Sequence, residues 1–285
     1  MLTGGTIVNA DSMQVYSVLD TITARPAKAD QEVAPHLLYG HVHPSHSYST
    51  GEWLRDVAGL LGSARQPARP LIFVGGTGLY FEALLNGLSA MPLVPASVRG
   101  KWRGKLAEEG APVLHRLLAR DDPQAAARLQ PNDGQRVVRA LEVLEASGRS
   151  ILEWQRAKGT PLVDHNRAIR IKIEPDRAML GRRIEERFRA MIGAGALEEA
   201  RAMAQLGLDP AMPAMKAIGL RELIAVAEGR STLDEAVESA VSATRQYAKR
   251  QATWMRNRFG PEWLALTEEP DLLRASDLAR ILTWG

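Results

Sequence analysis

The chain has 285 residues, which points to one large domain or two modest ones with enough sequence to bury a core. Apolar residues make up 45% and charged residues 24%, ordinary globular usage. No apolar run reaches the roughly 18 residues a membrane helix needs, so no membrane partner is expected. Cysteine is absent, which excludes disulfides, thiolate catalysis and cysteine-held zinc and favours a reducing cytoplasm. The opening MLTGGTIVNADS lacks a basic n-region and a long apolar stretch, so it does not read as a secretory signal. A net charge of +3 is too small to establish a nucleic-acid partner; where the charge sits decides more.

Residues 6–9 read as a short strand running into a polar stretch at 11–14. Asp11 should therefore stand near the carboxyl end of a strand, where open parallel sheets bind ligands. A carboxylate there can serve as a general base, and equally as a helix N-cap. Next come His41, His43 and His46 in a Pro/Ser-rich segment. Their spacing suits a metal, but no neighbouring carboxylate or cysteine completes a shell, and a metal site is not favoured.

Residues 69–74 form a second apolar run that stops at Gly75-Gly76-Thr77-Gly78, after which 79–85 continue at helical spacing. Strand, Gly-rich turn and helix make the βα unit of a parallel sheet. The glycines either admit a phosphate to backbone N–H groups or simply satisfy a tight turn. From 97 to about 157 the pattern turns helical and rich in Ala, Leu and Arg, with breaks at Gly110, 121–123 and 131–134, and reads as an insertion. Residues 168–173 form a third apolar run, followed by helical patterns over 180–191 and 197–259. The expected organisation is α/β: core over 1–95, helical insertion over 96–160, and a second core part over 161–285.

Two charged segments stand out. Arg183 and Arg187 share one helical face and could hold a diphosphate, or simply pair with nearby glutamates. Arg245, Lys249 and Arg256 recur at helical intervals with Tyr247 and Trp254 interleaved. That is the footprint of nucleic-acid binding, or of an amphipathic helix whose rings face a core.

Taken in order, IVNADSMQVY at 7–16, PHLLYG at 35–40, FVGGTGLYFEALLNGLS at 73–89, PNDGQRVVRALEV at 131–143, RRIEERFRAMI at 182–192, KAIGLREL at 216–223 and TRQYAKRQATWMR at 244–256 resemble the tRNA dimethylallyltransferase (tRNA isopentenyltransferase) family. The resemblance covers nearly the whole chain. It implies a P-loop-kinase-like parallel sheet core with a helical insertion and C-terminal tRNA-binding helices. The implied reaction moves a dimethylallyl group from its diphosphate to the N6 amine of the adenosine 3′ of the anticodon. By the same resemblance Asp11 is the general base, and Ser12, Met13 and Gln14 complete a pocket for the extruded base. Thr77 and Arg187 meet the diphosphate, with Mg²⁺ as its companion ion. Further contacts to the tRNA anticodon stem-loop map onto Arg99, Gln135, Arg136, Arg139, Lys216, Gly219, Arg221, Lys249, Arg250, Gln251, Trp254 and Arg256. A monomer is the family expectation.

Two departures accompany the resemblance. The family opens with a strand and a Walker-type loop, G-x-T-x-x-G-K-S/T, and this sequence begins at what would be the second strand. The expectations that follow are uncovered apolar sheet surface, retained tRNA affinity and little prenyl transfer by the chain as written. Ile22 stands where the family has glycine, so a backbone position open to positive φ is expected to be restricted. A non-catalytic tRNA-binding remnant and a prenyltransferase acting on free adenylates are the alternatives.

Overall fold

Thr6, Ile7 and Val8 are β-branched and favour a pleated strand, and β1 spans Thr6–Asn9. The computed structural model describes residues 4–63, 70–157 and 159–267, so residue 69 of the second apolar run and 268–285 of the second core part lie outside the described residues. After β1 come α1 (Lys28–Val33), β2 (His36–Leu37), α2 (Thr50–Ser63), β3 (Leu71–Val74) and α3 (Gly78–Asn86). The three strands form one parallel sheet in the order β2-β1-β3. Ile7 pairs with both His36 and Ile72, and Asn9 with Val74, so β1 and β3 end side by side. Trp53 of α2 is fully buried, stacks on Tyr80 of α3 at 4.4 Å and meets Phe73 of β3 edge-on. Parallel sheets are usually covered on both faces. Here Ile72 and Val74 of β3 stay 39% and 48% exposed, so the other side of that strand is open among the described residues.

The chain divides into two compact units, Met1–Leu85 with Val163–Gly285, and Asn86–Leu162. The second unit is all-helical: α4 (Ala96–Glu109), α5 (Ala111–Asp121), α6 (Pro123–Ala126), α7 (Gly134–Ser147) and α8 (Ile151–Arg156). Its core is Trp102, Leu114, Leu118, Val137 and Leu141 with their neighbours. The turn signals act as caps: Asp122 accepts from the Ala125 N–H, Asp133 from the Arg136 N–H, and Gly148 ends α7 at φ 66°. The unit starts about ten residues before the helical pattern because its entry and exit segments touch. A Cβ on Gly87 would lie 2.2 Å from the Gly159 carbonyl oxygen, so only glycine fits there. The positive charge also collects in this unit. Residues 86–162 hold 12 Lys and Arg against 8 Asp and Glu, leaving 24 against 25 elsewhere.

The first unit resumes with β4 (Ile171–Ile173), α9 (Arg177–Gly193), α10 (Ala196–Gln205), α11 (Leu220–Ala227), α12 (Leu233–Arg258) and β5 (Leu264–Leu266). β4 and β5 form a parallel pair, Ile171 opposite Leu264. The largest core joins Val15, Tyr16, Leu19 and Ile22 to Ile184, Phe188, Met203, Leu220, Leu223 and Val237. Ile22 is 7% exposed, and among the described residues positive φ outside glycine falls on Val18, Ala24 and Leu38. The restriction expected at Ile22 therefore does not arise; its side chain takes a core position.

The 26-residue α12 opens with a capping box in which Thr232 and Glu235 each satisfy the other's backbone N–H. Thr232→Ala is expected to cost about 1 kcal/mol, read as a lower urea midpoint with an unchanged slope. No helix among the described residues is long and apolar enough to cross a membrane.

Candidate active site

Asn9, the last residue of β1, has a fully buried side chain that shapes the turn after it. Its Oδ1 accepts the Asp11 N–H at 2.8 Å, while Nδ2 donates to the Asp11 and Leu38 carbonyls at 2.9 and 3.0 Å. From below, the Trp53 indole N–H donates to the Asn9 carbonyl at 2.8 Å. Asp11 then closes the next turn, its Oδ1 accepting the N–H of Met13 at 2.8 Å and of Gln14 at 3.4 Å. The cap-like role and the base role are thus not exclusive. One carboxylate oxygen holds the turn, and Oδ2 lies 3.4 Å from where a Gly76 Cβ would stand.

The Gly-rich turn after β3 meets Asp11 from the side. The Ala10 N–H donates to Val74 O at 2.8 Å, and the Thr77 N–H to Ala10 O at 3.2 Å. Thr77 Oγ1 accepts the Ser12 N–H at 2.9 Å and donates to Ser12 Oγ at 3.2 Å. A Cβ on Gly75 would lie 2.2 Å from the Ala10 carbonyl carbon, so glycine is required for this approach. α12 braces the turn. Gln251 Nε2 donates to Gly76 O at 2.9 Å, and the Trp254 ring fills the space a Gly78 Cβ would occupy, 2.2 Å away.

Three tyrosines stand in the field of Asp11. Burial and then the Asp11 carboxylate push Tyr39 up to about 12, and the same two causes raise Tyr247. Tyr80 is raised by burial, with Tyr16 and Asp11 adding to it. All three keep their hydroxyl protons at neutral pH.

Asp11, Ser12, Thr77 and Gln251 come together, and Met13 and Gln14 extend the Asp11 turn. Gln14 donates through Nε2 to the carbonyls of Thr23 and Ala24, at 2.9 Å each. Trp254 packs edge-on to Phe259 at 5.4 Å as well as over Gly78. Lys249, Arg250 and Arg256 are exposed along α12, as are Lys216 and Arg221 near α11. Gly219, buried at φ 90°, leaves room for the Phe188 ring, which a Cβ would meet at 2.5 Å. Arg187 is exposed on α9, where Leu180, Arg183, Ile184, Glu186 and Ala190 join it around an open depression of about 560 Å³. Among the described residues no hydrogen bond or ion pair joins Arg187 to Asp11 or Thr77. In the helical unit Arg99 and Gln135 are exposed, Arg136 reaches Asp133 and Arg139 reaches the buried Glu142, both at 3.4 Å.

The histidine segment differs from its reading in one respect. Carboxylates are close after all, brought by α2: Asp56 lies 3.4 Å from His41 and Glu52 2.8 Å from His46. Even so, no group of three His, Cys, Asp or Glu among the described residues could hold a metal ion. Of the residues that shape the site, Asn9 had a visible signal, a polar residue ending an apolar strand. Trp53 had none, because its partner is 44 positions away.

A family model described as IPP transferase matches residues 14–258. The tRNA dimethylallyltransferase of Mesorhizobium japonicum is 59% identical over 269 residues, covering 94% of this chain and 84% of the relative. This chain belongs to the IPP transferase family. The tRNA dimethylallyltransferase of Agrobacterium fabrum is 51% identical over 91% of this chain and 87% of its own. A tRNA isopentenylpyrophosphate transferase from Bacillus halodurans has the same fold at a TM-score of 0.65 and 28% identity, over 98% of this chain and 86% of that one. The corresponding Staphylococcus epidermidis structure gives 0.64 at 29% identity, over 99% and 90%. As an IPP transferase, the chain has the α/β core with helical insertion that its motif order implied.

Proposed function

We propose that this chain transfers a dimethylallyl group from dimethylallyl diphosphate to the N6 amine of the adenosine 3′ of the anticodon in tRNA. The observation that carries this reading is the convergence of Asp11, Ser12 and Thr77 at the adjoining ends of β1 and β3, with α12 braced on the same turn through Gln251. Two relatives, 59% and 57% identical, are named tRNA dimethylallyltransferase.

In the step itself, N6 attacks the primary allylic carbon, the carbon–oxygen bond to diphosphate breaks, and the diphosphate departs with the electron pair. The alkylated nitrogen is acidic and gives its proton to the Asp11 carboxylate. Most of the remaining work is orientation and neutralisation of charge. Thr77 and Arg187 are assigned to the diphosphate in this reading. Ser12, Met13 and Gln14 line the pocket for the flipped adenine, which is stacked in the free anticodon loop. No group of three His, Asp or Glu converges to hold a metal ion among the described residues, and Asp11 Oδ1 accepts backbone N–H groups. We assign Mg²⁺ to the diphosphate, with its own waters. The enzyme is placed in the cytoplasm, as a monomer.

Exposed Lys216, Arg221, Lys249, Arg250 and Arg256, with the surplus charge of residues 86–162, favour a polyanionic acceptor over a free adenylate. Arg256→Ala is expected to weaken tRNA binding regardless of sequence and to lower the slope of log K against log salt by about 1. The deciding experiment is single-turnover transfer of labelled dimethylallyl to an unmodified tRNA. It is run on this chain and on the chain preceded by a relative's phosphate loop. Transfer to tRNA supports the reading. No transfer by either folded protein, or equal labelling of free adenylate, overturns it.

A further inference from the structure

Glu199 of α10 belongs to none of the motifs above, yet its carboxylate reaches across to the loop that follows the Asp11 turn. Oε1 accepts the Thr21 N–H at 2.5 Å and Oε2 accepts the Ile22 N–H at 3.0 Å. An ionised carboxylate on two successive backbone amides forms charge-assisted bonds, roughly twice as strong as neutral ones. Ile22 itself is anchored in the core that contains α10's Ala200 and Met203. The loop is closed further by Ala24 N–H to Thr21 O at 3.0 Å and Thr23 Oγ1 to Leu19 O at 2.6 Å. Ala24 sits at φ 53°, a conformation a residue with a Cβ keeps only when its surroundings enforce it.

This loop presents two carbonyls in one direction, and both go to Gln14. The Thr23 and Ala24 oxygens each accept from Gln14 Nε2 at 2.9 Å. Two carbonyl partners settle which end of the carboxamide is nitrogen. With both N–H groups engaged, the Gln14 side chain has its oxygen left to offer, an acceptor suited to a donor amine. The Gln14 backbone is tied in as well, its N–H to Asp11 Oδ1 at 3.4 Å and its carbonyl accepting from Gly40 N–H at 2.9 Å. The Arg25 guanidinium lies over Gly40, where a Cβ would collide with it, and pairs with Asp20 at 2.8 Å.

We propose that Glu199 is a positioning residue of the acceptor pocket: its carboxylate fixes the loop at 20–24, and through the Thr23 and Ala24 carbonyls it sets the orientation of the Gln14 carboxamide. The name acceptor pocket rests on the reading under Proposed function; the clamp on Gln14 does not.

Glu199→Gln keeps the size of the side chain but turns an NH₂ toward one of the two backbone amides, so one bond is lost. In the full chain, NMR should show side-chain NH₂ exchange at Gln14 and amide exchange at Thr21 and Ile22 faster by at least about tenfold, with core amides such as Leu223 unchanged. An anticodon stem-loop should bind about tenfold more weakly to Glu199→Gln and to Gln14→Ala, and no more weakly to the double variant than to either single one. Wild-type protection of Gln14 in Glu199→Gln, or single effects that multiply in the double variant, overturns the proposal. Glu199→Asp, which is charged but one methylene too short, should repeat the loss if the glutamine variant does not fold. If neither folds, Glu199 is a folding residue and the proposal fails. If the wild-type chain binds no stem-loop, the tRNA reading fails, and Gln14 exchange alone decides on Glu199.

Discussion

Asp11→Asn is expected to slow single-turnover dimethylallyl transfer by about 10²–10⁴-fold while leaving tRNA affinity within about twofold of the wild type. The substitution separates the two jobs of this side chain. The asparagine carbonyl can still accept the Met13 and Gln14 N–H groups that Asp11 Oδ1 accepts now, at 2.8 and 3.4 Å. Asn9 continues to hold the turn through the Asp11 backbone on both sides. What disappears is a group able to take the proton from the alkylated amine. The neighbouring tyrosines do not substitute, since in the variant burial still favours the protonated form of Tyr39 and Tyr247. A variant that retains transfer within about tenfold of the wild type would remove Asp11 from the role of base. A variant that loses both transfer and tRNA binding would assign it mainly to the turn. Circular dichroism and urea unfolding supply the control, with a stability change of under about 1 kcal/mol expected.

Trp53→Ala should have the largest effect on stability of any single change near the site, about 3–5 kcal/mol. Trp53 is fully buried between the sheet and α3, stacked on Tyr80 at 4.4 Å and edge-on to Phe73 at 6.1 Å. Its removal leaves a cavity under β1 and an unsatisfied Asn9 carbonyl at the strand end that carries Asp11. Against a total stability of about 5–15 kcal/mol for a typical domain, such a loss brings much of the population close to unfolding at 37 °C. Urea unfolding followed by far-ultraviolet circular dichroism measures it. Trp53→Phe is the companion variant, keeping a ring in the stack while stripping the indole N–H from Asn9. A loss of about 1–3 kcal/mol is expected from it. An unchanged urea midpoint in Trp53→Ala would show that the cavity collapses and that the indole is not what fixes the strand end.

Local pattern was enough for much of this protein. The β1 range, the βα unit around Gly75 to Gly78, the helical run between two α/β segments and the long C-terminal helix were all legible, because strand and helix periods and turn residues act over a few positions. Family membership was legible from the order of short motifs, including the DSMQ and GGTG segments that meet at the site. Other features had no local signal. β2 is two residues long and β5 three, and both exist only because β1 and β4 offer them a parallel edge. α2 sits in a segment whose histidines drew attention to metal chemistry, while Asp56 and Glu52 approach those histidines only once the helix forms.

What the sequence alone determined is which chemistry is available: a carboxylate after an apolar strand, a glycine turn with one hydroxyl, and basic residues at helical spacing. What tertiary structure decided is how those groups are held. Trp254 had the composition of a base-stacking residue, yet it packs over Gly78 and against Phe259. The resemblance put Gln251 among the tRNA contacts, and the structure shows its amide bonded to Gly76. Glu199 lies in none of the motifs, and only the approach of α10 to residues 21 and 22 gives it two backbone amides. The physical reason is the same in each case. Periodicity assigns a side chain to a face of its own element, but which face meets which is set by long-range packing, and buried polar groups take the partners that packing brings.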